Sequence, residues 1–562
     1  MPIKDHSVFI LLLVTITFLV YYDSFNNSFI YDDYHFIVEN KAIRNFNVRS
    51  IISNFTDRDS VSSSEGLSKD VWRPLMTTSF AIDYKFWKLN SRFYHIENTI
   101  WHAANVVLVY IATFLILNNG LTAFVTSVVF AIHPVQTEAV TWISGRSNLI
   151  FLLFFLLSFI FHIRNRRRKN LLDYSFSLIS FTLSLLSKEM GIVLPLILIL
   201  YDLHFSNERD LKYYFPFFLI GAFYIFARFS VLGVVAQKEE WWGGSIYYNF
   251  LAMLKAIVTY LRLLLFPVNL KIGYLAGIPK FILDKDMIIA ISILFLVAIV
   301  YLVLHRNKTL SFYILWFFIA LVPVYNIVPF KAVMAERFLY LPLIGFASVF
   351  GIFFSKVKGT VRYIFIFILI MYGVGTISRN VEWRDELTFY MQDAIHSPTN
   401  PKSHYNLGYA YAKEAEKNAA SKKMSDSYYA LAAKEFLETL RLKPDSQVSY
   451  VSLANAYNAL GFYDLAVKNF RKAIAIKEDS DAYNNLAVSY YRKLMYDESL
   501  KYCKKSLYLT PDHINAYINL GNAYFMKREY RKAKMAWLQA LKLGSKLPSL
   551  VQNMEDLQKL GY

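Results

Sequence analysis

The sequence predicts an all-α protein in two parts, a polytopic membrane domain followed by a helical repeat array. The 562 residues are 56% hydrophobic and 17% aromatic with a positive mean hydropathy, which is typical of integral membrane proteins. Long apolar runs stop near residue 378. The residues beyond repeat with a period of 33 to 34 and are numerous enough to bury a core of their own.

The formal net charge is +18, and much of the basic excess lies in short clusters between apolar runs. This distribution is typical of lysines and arginines that set membrane topology, so we expect no nucleic-acid partner. The single cysteine, Cys503, excludes an intrachain disulfide and leaves the redox compartment undetermined.

Twelve apolar runs are candidates to cross the membrane. The first, residues 8–22, lacks a small-residue cleavage site and is followed by Asp23, so we predict an uncleaved anchor. Several runs are shorter than the roughly 20 residues of an isolated span, which indicates packing against protein. The other eleven lie near 98–117, 121–133, 148–163, 172–187, 190–204, 213–235, 247–266, 287–304, 310–328, 337–354 and 361–378.

Positive charge between the runs predicts the topology. Three short basic loops should be cytoplasmic, namely 164–169, 305–308 and 355–362. Five candidate runs separate the first two loops, although loops on one side need an even number of crossings. Residues 247–266 carry Lys255 and Arg262, so we assign that run to an interfacial or re-entrant helix on the outer face. Residues 1–380 then make about eleven crossings, and the large loop 23–97 lies outside together with the C-terminal tail.

The tail, residues 401–562, follows a predicted connector at 381–400. The segments LANAY, LAVSY and LGNAY begin at Leu453, Leu486 and Leu520, and small residues recur behind them where two antiparallel helices would touch. With an earlier unit this makes about four units, which resemble tetratricopeptide repeats. Such arrays present a concave groove for protein segments. An array that only stabilises or oligomerises the protein is the alternative.

An acidic pair, Asp32 and Asp33, opens the large outer loop within about ten residues of the first span. Two adjacent carboxylates beside aromatic residues repel each other unless something binds them. Either of them is a candidate base for the proton of an attacking hydroxyl. The alternative is a divalent cation, held by the pair, that supports a leaving phosphate.

Further ionisable residues collect in the outer loops, where charge at membrane depth is costly and usually functional. Guanidinium and ammonium groups suit a phosphate, and the candidates are Arg73, Arg146, Lys188 and Arg337. The supporting polar residues are His95, His133, Glu138, Glu189 and Tyr340. An ion pair between Lys188 and Glu189 is an alternative role for those two. The set predicts transfer of a group from a phosphate-linked lipid to a hydroxyl.

Seven motifs precede the repeats in order, namely FIYDDYHFIVEN (29–40), WRPL (72–75), YHIENTIWH (94–102), HPVQTEAV (133–140), GRSNL (145–149), SKEMGIVLP (187–195) and AERFLYLP (335–342). They closely resemble the transmembrane-and-tetratricopeptide-repeat proteins, a family of protein O-mannosyltransferases in the GT-C class of membrane glycosyltransferases. The resemblance implies an inverting transfer of a mannose-like sugar from a polyprenyl- or dolichyl-phosphate carrier to Ser or Thr of a protein. It also implies a catalytic acid in the first outer loop, where Asp33 is our first choice and Asp32 our second.

The resemblance further implies an integral protein of a bacterial or archaeal plasma membrane or of the endoplasmic reticulum. Its repeats would lie on the extracytoplasmic or lumenal side and guide the protein acceptor. Two other functions stay open at this point. One is a membrane-anchored repeat scaffold without catalysis, and the other is a GT-C transferase that glycosylates a lipid or moves a whole oligosaccharide.

Overall fold

The computed structural model describes residues 3–58, 71–206, 210–233, 240–274, 281–329 and 332–559. Every regular element in these ranges is a helix, which confirms the predicted all-α class. The chain divides into two compact units, Met1–Phe389 and Tyr390–Tyr562. The division falls inside the segment 381–400 that the sequence assigns to a connector.

The described part of the first unit contains helices α1 to α15. Helices α1 to α5 are Ile3–Tyr21, Val48–Thr56, Pro74–Trp87, Ser91–Leu117 and Gly120–Ile132. Helices α6 to α10 are Thr137–Val140, Arg146–Arg168, Leu171–Ser187, Leu194–Phe205 and Phe215–Leu232. Helices α11 to α15 are Ile246–Leu265, Lys285–Leu304, Lys308–Ala320, Leu343–Lys356 and Thr360–Glu382. Each of the twelve predicted apolar runs coincides with one helix, and α2, α3 and α6 are additional.

Seven of the described helices, α1, α4, α7, α10, α11, α12 and α15, are long and apolar enough to cross a membrane. Helix α5 and the segment Pro134–Val140 form a pair bent by 55°, which makes eight if the pair is one span. The apolar helices α8, α13 and α14 are shorter. Helix α11 meets the same criteria of length and composition as the others, so eleven crossings and an interfacial position for 247–266 stay predictions.

The large outer loop predicted at 23–97 is a packed layer where the structure describes it; residues 59–70 lie outside the described residues. It holds α2, α3 and the first turns of α4, which begins at Ser91 rather than near residue 98. Its buried apolar side chains form a small core of their own, made of Ile37, Ile43, Met76, Phe80, Ala81 and Tyr94 together with Ile143. This core fixes the loop against the turn that precedes α7.

Asparagine caps begin several helices of this unit. Asn90, Asn119, Asn170 and Asn307 precede α4, α5, α8 and α13, and each side-chain oxygen accepts a backbone N–H two or three residues ahead. A helix N-terminus leaves such N–H groups without partners inside the helix. The caps therefore allow short connections between long apolar helices.

Two glycines bring α14 close to its neighbours. A Cβ atom at Gly345 would lie 2.5 Å from the carbonyl oxygen of Tyr313 on α13. One at Gly351 would lie 2.8 Å from the carbonyl oxygen of Thr122 on α5. Membrane helices associate through such close contacts, because lipid tails remove most of the hydrophobic drive between helices.

The second unit is built from antiparallel helix pairs. After α16 (Glu386–His396), its helices α17 to α25 are Pro401–Lys417, Lys422–Leu442, Gln447–Ala459, Tyr463–Ile476, Ser480–Arg492, Tyr496–Leu509, Ile514–Met526, Tyr530–Lys542 and Pro548–Lys559. Helices α17 and α18 of the first pair have 17 and 21 residues, whereas α19 and α20 of the next pair have 13 and 14. Gly408 faces Phe436 and Gly521 faces Trp537, so the small residues lie where the paired helices touch.

Candidate active site

The acidic pair separates into one buried and one accessible carboxylate. Asp33 is fully buried, whereas Asp32 is half-buried. Oδ1 of Asp33 accepts hydrogen bonds from the backbone N–H and the hydroxyl of Ser144, at 2.8 and 2.5 Å, and Oδ2 accepts the N–H of Ile30 at 3.1 Å. Burial raises the pKa of Asp33 to about 7, although these hydrogen bonds lower it.

A strained residue produces this separation. Tyr31 has a φ of 51°, in the left-handed region that aromatic residues rarely occupy. Its ring lies 5.9 Å from that of Trp142. The chain turns at Tyr31, so the two following carboxylates have different surroundings. Backbone strain of this kind is common at functional sites.

Arg337 is a cation on which the charge of Asp32 acts. Its guanidinium pairs with the carboxylate of Glu138, and its backbone N–H donates to Glu138 Oε2 at 2.7 Å. Burial opposes the charge on Arg337, but Glu138, Tyr31 and Asp32 outweigh it and raise the pKa of the guanidinium. Its side chain is 26% exposed, against 2% for Glu138.

A second ion pair joins Arg73, just before α3, to Glu189, just after α8. Two guanidinium nitrogens of Arg73 donate to the carboxylate, at 2.7 and 3.3 Å. Arg228 of α10 approaches the same carboxylate at 3.9 Å. Burial opposes ionisation of Glu189, but Arg73 and Arg228 outweigh it and hold its pKa below the ordinary value.

Lys188 lies between the two ion pairs. The residue is 2% exposed, and its ammonium group donates to Asn148 Oδ1 and lies 5.7 Å from the ring centre of Phe338. Burial, followed by the positive charges of Arg73 and Arg337, lowers the pKa of Lys188 well below its usual range. The predicted direct pair of Lys188 with Glu189 is replaced by Arg73–Glu189, although Glu189 acts on Lys188 through its charge.

We call these residues the charged cluster, which consists of Asp32, Arg73, Glu138, Lys188, Glu189, Arg228 and Arg337. They come from the first outer loop and from the ends of α3, α6, α8, α10 and the segment before α14. Each interacts electrostatically with at least one other member. Among the described residues no group of three His, Cys, Asp or Glu side chains is arranged to hold a metal ion.

Arg146 does not join the charged cluster. Its side chain is fully buried, donates to Asp83 Oδ2 at 2.5 Å and to Asn98 Oδ1 at 2.7 Å, and reaches the carbonyl oxygen of Tyr94 at 3.1 Å. It therefore links α3, α4 and α7. These contacts favour a structural role for Arg146, and its role as a phosphate ligand stays a prediction.

Three further predicted residues are enclosed in the membrane unit. His133 hydrogen-bonds the carbonyl oxygen of Leu264 at 3.0 Å, and Tyr340 bonds His102 at 2.8 Å. His95 is 3% exposed. None of the three side chains belongs to the charged cluster, so their supporting role stays a prediction.

Arg228 is the member of the charged cluster that the sequence analysis does not single out. It stands in the run FARFS of an otherwise apolar helix. An ionisable residue in such a helix is costly and is usually functional. This rule identifies Arg228 as a candidate functional residue. It does not predict that the guanidinium of Arg228 approaches Glu189.

The described residues thus define a polytopic, all-helical membrane protein that carries a charged cluster at helix ends and an array of helix pairs. Two models of the Tetratricopeptide repeat family match the array, at residues 448–480 and 478–545. A solved structure of MamA is 22% identical to this chain. The match covers 28% of this chain and 80% of the MamA chain, with a TM-score of 0.24.

Curated relatives extend over most of the chain. A protein O-mannosyl-transferase of Caenorhabditis elegans is 31% identical over 437 residues, which are 73% of this chain and 61% of that protein. Protein O-mannosyl-transferase TMTC3 of Mus musculus is 23% identical over 80% of this chain and 52% of its own length. The human TMTC4 is 25% identical over 71% and 63%. The chain thus spans less than two thirds of these relatives.

The fold therefore places this chain in the class of membrane proteins with tetratricopeptide repeats. More particularly, the comparisons confirm the resemblance, stated from the seven motifs, to the transmembrane-and-tetratricopeptide-repeat family of protein O-mannosyl-transferases.

Proposed function

We propose that this protein is a GT-C membrane glycosyltransferase. It moves a sugar, mannose by similarity to its relatives, from a polyprenyl- or dolichyl-phosphate carrier to a Ser or Thr hydroxyl of a protein. The reaction takes place on the extracytoplasmic or lumenal side. The observation that carries this proposal is the ion pair of Arg337 with Glu138, together with the charge of the half-buried Asp32 that acts on Arg337.

Asp32 is the base in this mechanism, which reverses the order of preference given by the sequence. Asp33 accepts three hydrogen bonds and is enclosed, so it positions the loop. Asp32 takes the proton of the acceptor hydroxyl while that oxygen bonds to the anomeric carbon. The bond from this carbon to the phosphate oxygen breaks on the opposite face, and a single displacement of this kind inverts the configuration.

The cations act mainly on the leaving group. The lipid-linked donor is a phosphodiester with one negative charge, and the departing lipid phosphate gains the electron pair and a second charge. Groups that meet charge as it develops stabilise the transition state more than the ground state. Arg73 and Arg337 are 19% and 26% exposed, so they are the guanidiniums that reach a ligand.

The protein acceptor is assigned to the repeats. Tetratricopeptide repeats mediate protein interactions through the inner face of the array. Asparagine side chains of successive repeats are linked to one another, with Asn485 donating to Asn455 at 3.4 Å and Asn519 to Asn484 at 2.8 Å. Amides both donate and accept, so this row suits the main chain of an acceptor without demanding one sequence.

The test is transfer from a polyprenyl- or dolichyl-phosphate sugar to a protein acceptor by the purified full-length chain. We expect Asp32→Asn to lower kcat by about 100-fold to 10,000-fold, as removal of a general base does. The matched control is Asp23→Asn, an exposed carboxylate of the same loop, which should keep full activity. Full activity of Asp32→Asn would refute the assignment of the base.

Two further experiments distinguish this proposal from the two alternative functions, a scaffold without catalysis and a transferase with another acceptor or donor. A scaffold without catalysis predicts no transfer from any lipid-phosphate sugar and unchanged capture of partner proteins by the Arg337→Gln variant. Transfer to a lipid, or of an oligosaccharide, is identified by analysis of the product. Addition of EDTA tests the alternative role of Asp32 and Asp33 as ligands of a divalent cation, because loss of activity would then be restored by that cation.

A further inference from the structure

Helices α20 and α22 of the repeat array present a basic surface. Beyond the acidic residues of its first turn, each of these two helices has three exposed cations and no carboxylate. The cations stand at equivalent positions of two successive repeats, 33 residues apart. We call them the basic face, which consists of Lys468, Arg471 and Lys472 of α20 and Lys501, Lys504 and Lys505 of α22.

Stacked tyrosine rings join the cations of the two helices. The rings of Tyr490 and Tyr502 are 5.4 Å apart at an interplanar angle of 5°. Arg471 donates a hydrogen bond to the hydroxyl of Tyr490 at 2.6 Å. The ammonium group of Lys505 lies 5.9 Å from the ring centre of Tyr502. The cations of α20 and α22 therefore belong to one continuous surface.

None of the six cations forms an ion pair within the described part of the array. The acidic residues that open the two helices have other partners, because Asp464 pairs with Lys493 and Asp497 pairs with Lys527. The nearby Glu478 accepts a tyrosine hydroxyl at 2.8 Å. The basic face thus keeps a net positive charge. Like charges on adjacent turns repel one another, so this arrangement favours an anionic partner.

Exposed apolar side chains adjoin the basic face. Tyr508 follows Lys501 and Lys505 on one side of α22, at the spacing of successive turns, and is 86% exposed. Met535 of α24 stands at the position of Lys501 in the next repeat, 34 residues further on, and is 71% exposed. Clusters of basic residues next to exposed aromatic and aliphatic side chains are typical of surfaces that bind acidic lipid headgroups.

We propose that the basic face binds the acidic phospholipid headgroups of the membrane that holds this chain. Phosphate oxygens of the headgroups accept hydrogen bonds, and ammonium and guanidinium groups donate them. The apolar helices of the same chain keep a bilayer within reach, which raises the effective concentration of headgroups at the array. The proposal goes beyond the proposed function, because it gives the array a second binding surface and involves no sugar transfer.

The experiment measures contact between α24 and the bilayer. Full-length Met535→Cys protein receives a fluorophore at the new thiol and is placed in lipid nanodiscs that contain a quencher-labelled lipid. Cys503 does not compete for the fluorophore, because burial raises the pKa of its thiol to about 12. We expect strong quenching when the discs contain phosphatidylglycerol and little when they contain phosphatidylcholine alone. Met526→Cys is the matched label position, 44% exposed on the first helix of the same pair, and should be quenched less.

Salt and charge removal should both release the array. Raising the salt concentration from about 0.1 M to about 1 M shortens the screening length from about 10 Å to about 3 Å, and quenching should fall accordingly. A basic residue near an acidic bilayer changes binding about 5-fold. We therefore expect the bound-to-free ratio of the array to fall about 100-fold in a triple variant, namely Lys501→Gln with Lys504→Gln and Lys505→Gln.

A second triple variant removes the same charge outside α20 and α22. It combines Lys422→Gln, Lys423→Gln and Lys443→Gln, all at exposed lysines, and should be quenched like the unmodified protein. Equal quenching in neutral and acidic discs, or unchanged quenching in the α22 variant, would overturn the proposal. Binding of polyglutamate without quenching by acidic discs would assign the basic face to an acidic protein and overturn it as well. Absence of sugar transfer would refute the proposed function and leave this result intact.

Discussion

Asp33 and Ser144 are joined twice, because the same carboxylate oxygen accepts the backbone N–H and the hydroxyl of Ser144 at 2.8 and 2.5 Å. This contact fastens the first outer loop to the turn that precedes α7. The loop in turn carries Asp32, the proposed base. Asp33 is therefore a positioning residue, and its effects on stability and on catalysis can be separated.

Replacement of Asp33 by Asn should destabilise the protein. Its oxygen can keep the Ser144 contacts, but its amide group would then face the N–H of Ile30, which now donates to Oδ2 at 3.1 Å. Two donors without an acceptor in a buried site cost about 1 to 3 kcal/mol. The measurement is thermal unfolding in detergent, with Asp23→Asn as control. Unchanged stability combined with complete loss of transfer would instead make Asp33 the base.

The pH dependence of stability offers a second test of Asp33. Its pKa of about 7 in the folded protein lies above the value of about 3.9 in an unfolded chain. Between these values the folded state binds more protons, so the free energy of unfolding decreases as pH rises from about 4 to 7. Thermal midpoints across this range should fall more steeply for the wild type than for Asp33→Asn. Parallel curves would contradict the buried, protonated carboxyl.

Arg146 should matter for folding more than for donor binding. Arg146→Met leaves Asp83 buried without its cation, which typically costs about 3 to 5 kcal/mol. A double variant, Arg146→Met with Asp83→Leu, removes both charges and should recover part of that loss. Chemical unfolding of the purified variants measures both effects. A stable Arg146→Met protein that fails to bind a polyprenyl phosphate would instead support the predicted role of Arg146 as a phosphate ligand.

Substitution of Gly521 tests the close packing of helices in the repeat array. A Cβ atom there would lie 2.3 Å from the indole nitrogen of Trp537, whose side chain is 1% exposed. Gly521→Ala should therefore cost about 1 to 3 kcal/mol through overpacking. Faster proteolysis within the repeats of the full-length chain reports the loss. Gly373→Ala in α15, where nothing lies within 4 Å, is the control and should leave proteolysis unchanged.

Local patterns were sufficient for the helices and the repeats. Each apolar run had the length and composition of one helix, and the period of the tail placed its small residues at helix contacts such as Gly408 with Phe436. Helix α4 begins at Ser91, before the apolar run 98–117, because its first turns are polar and aromatic and belong to the outer layer. A hydropathy pattern does not detect the polar part of a helix that continues beyond the membrane.

Sequence patterns predict the apolar helices, the repeats and the chemical types gathered in the outer loops. Which of these charges share a site depends on how the helices pack. Arg146 and Arg337 stand in equally distinctive motifs, but Arg146 is enclosed by Asp83 and Asn98 whereas Arg337 is 26% exposed beside Glu138. Their partners lie 48 to 199 residues away in the chain. Periodicity and composition report neighbours along one helix, whereas such distant pairs form only when the helices pack.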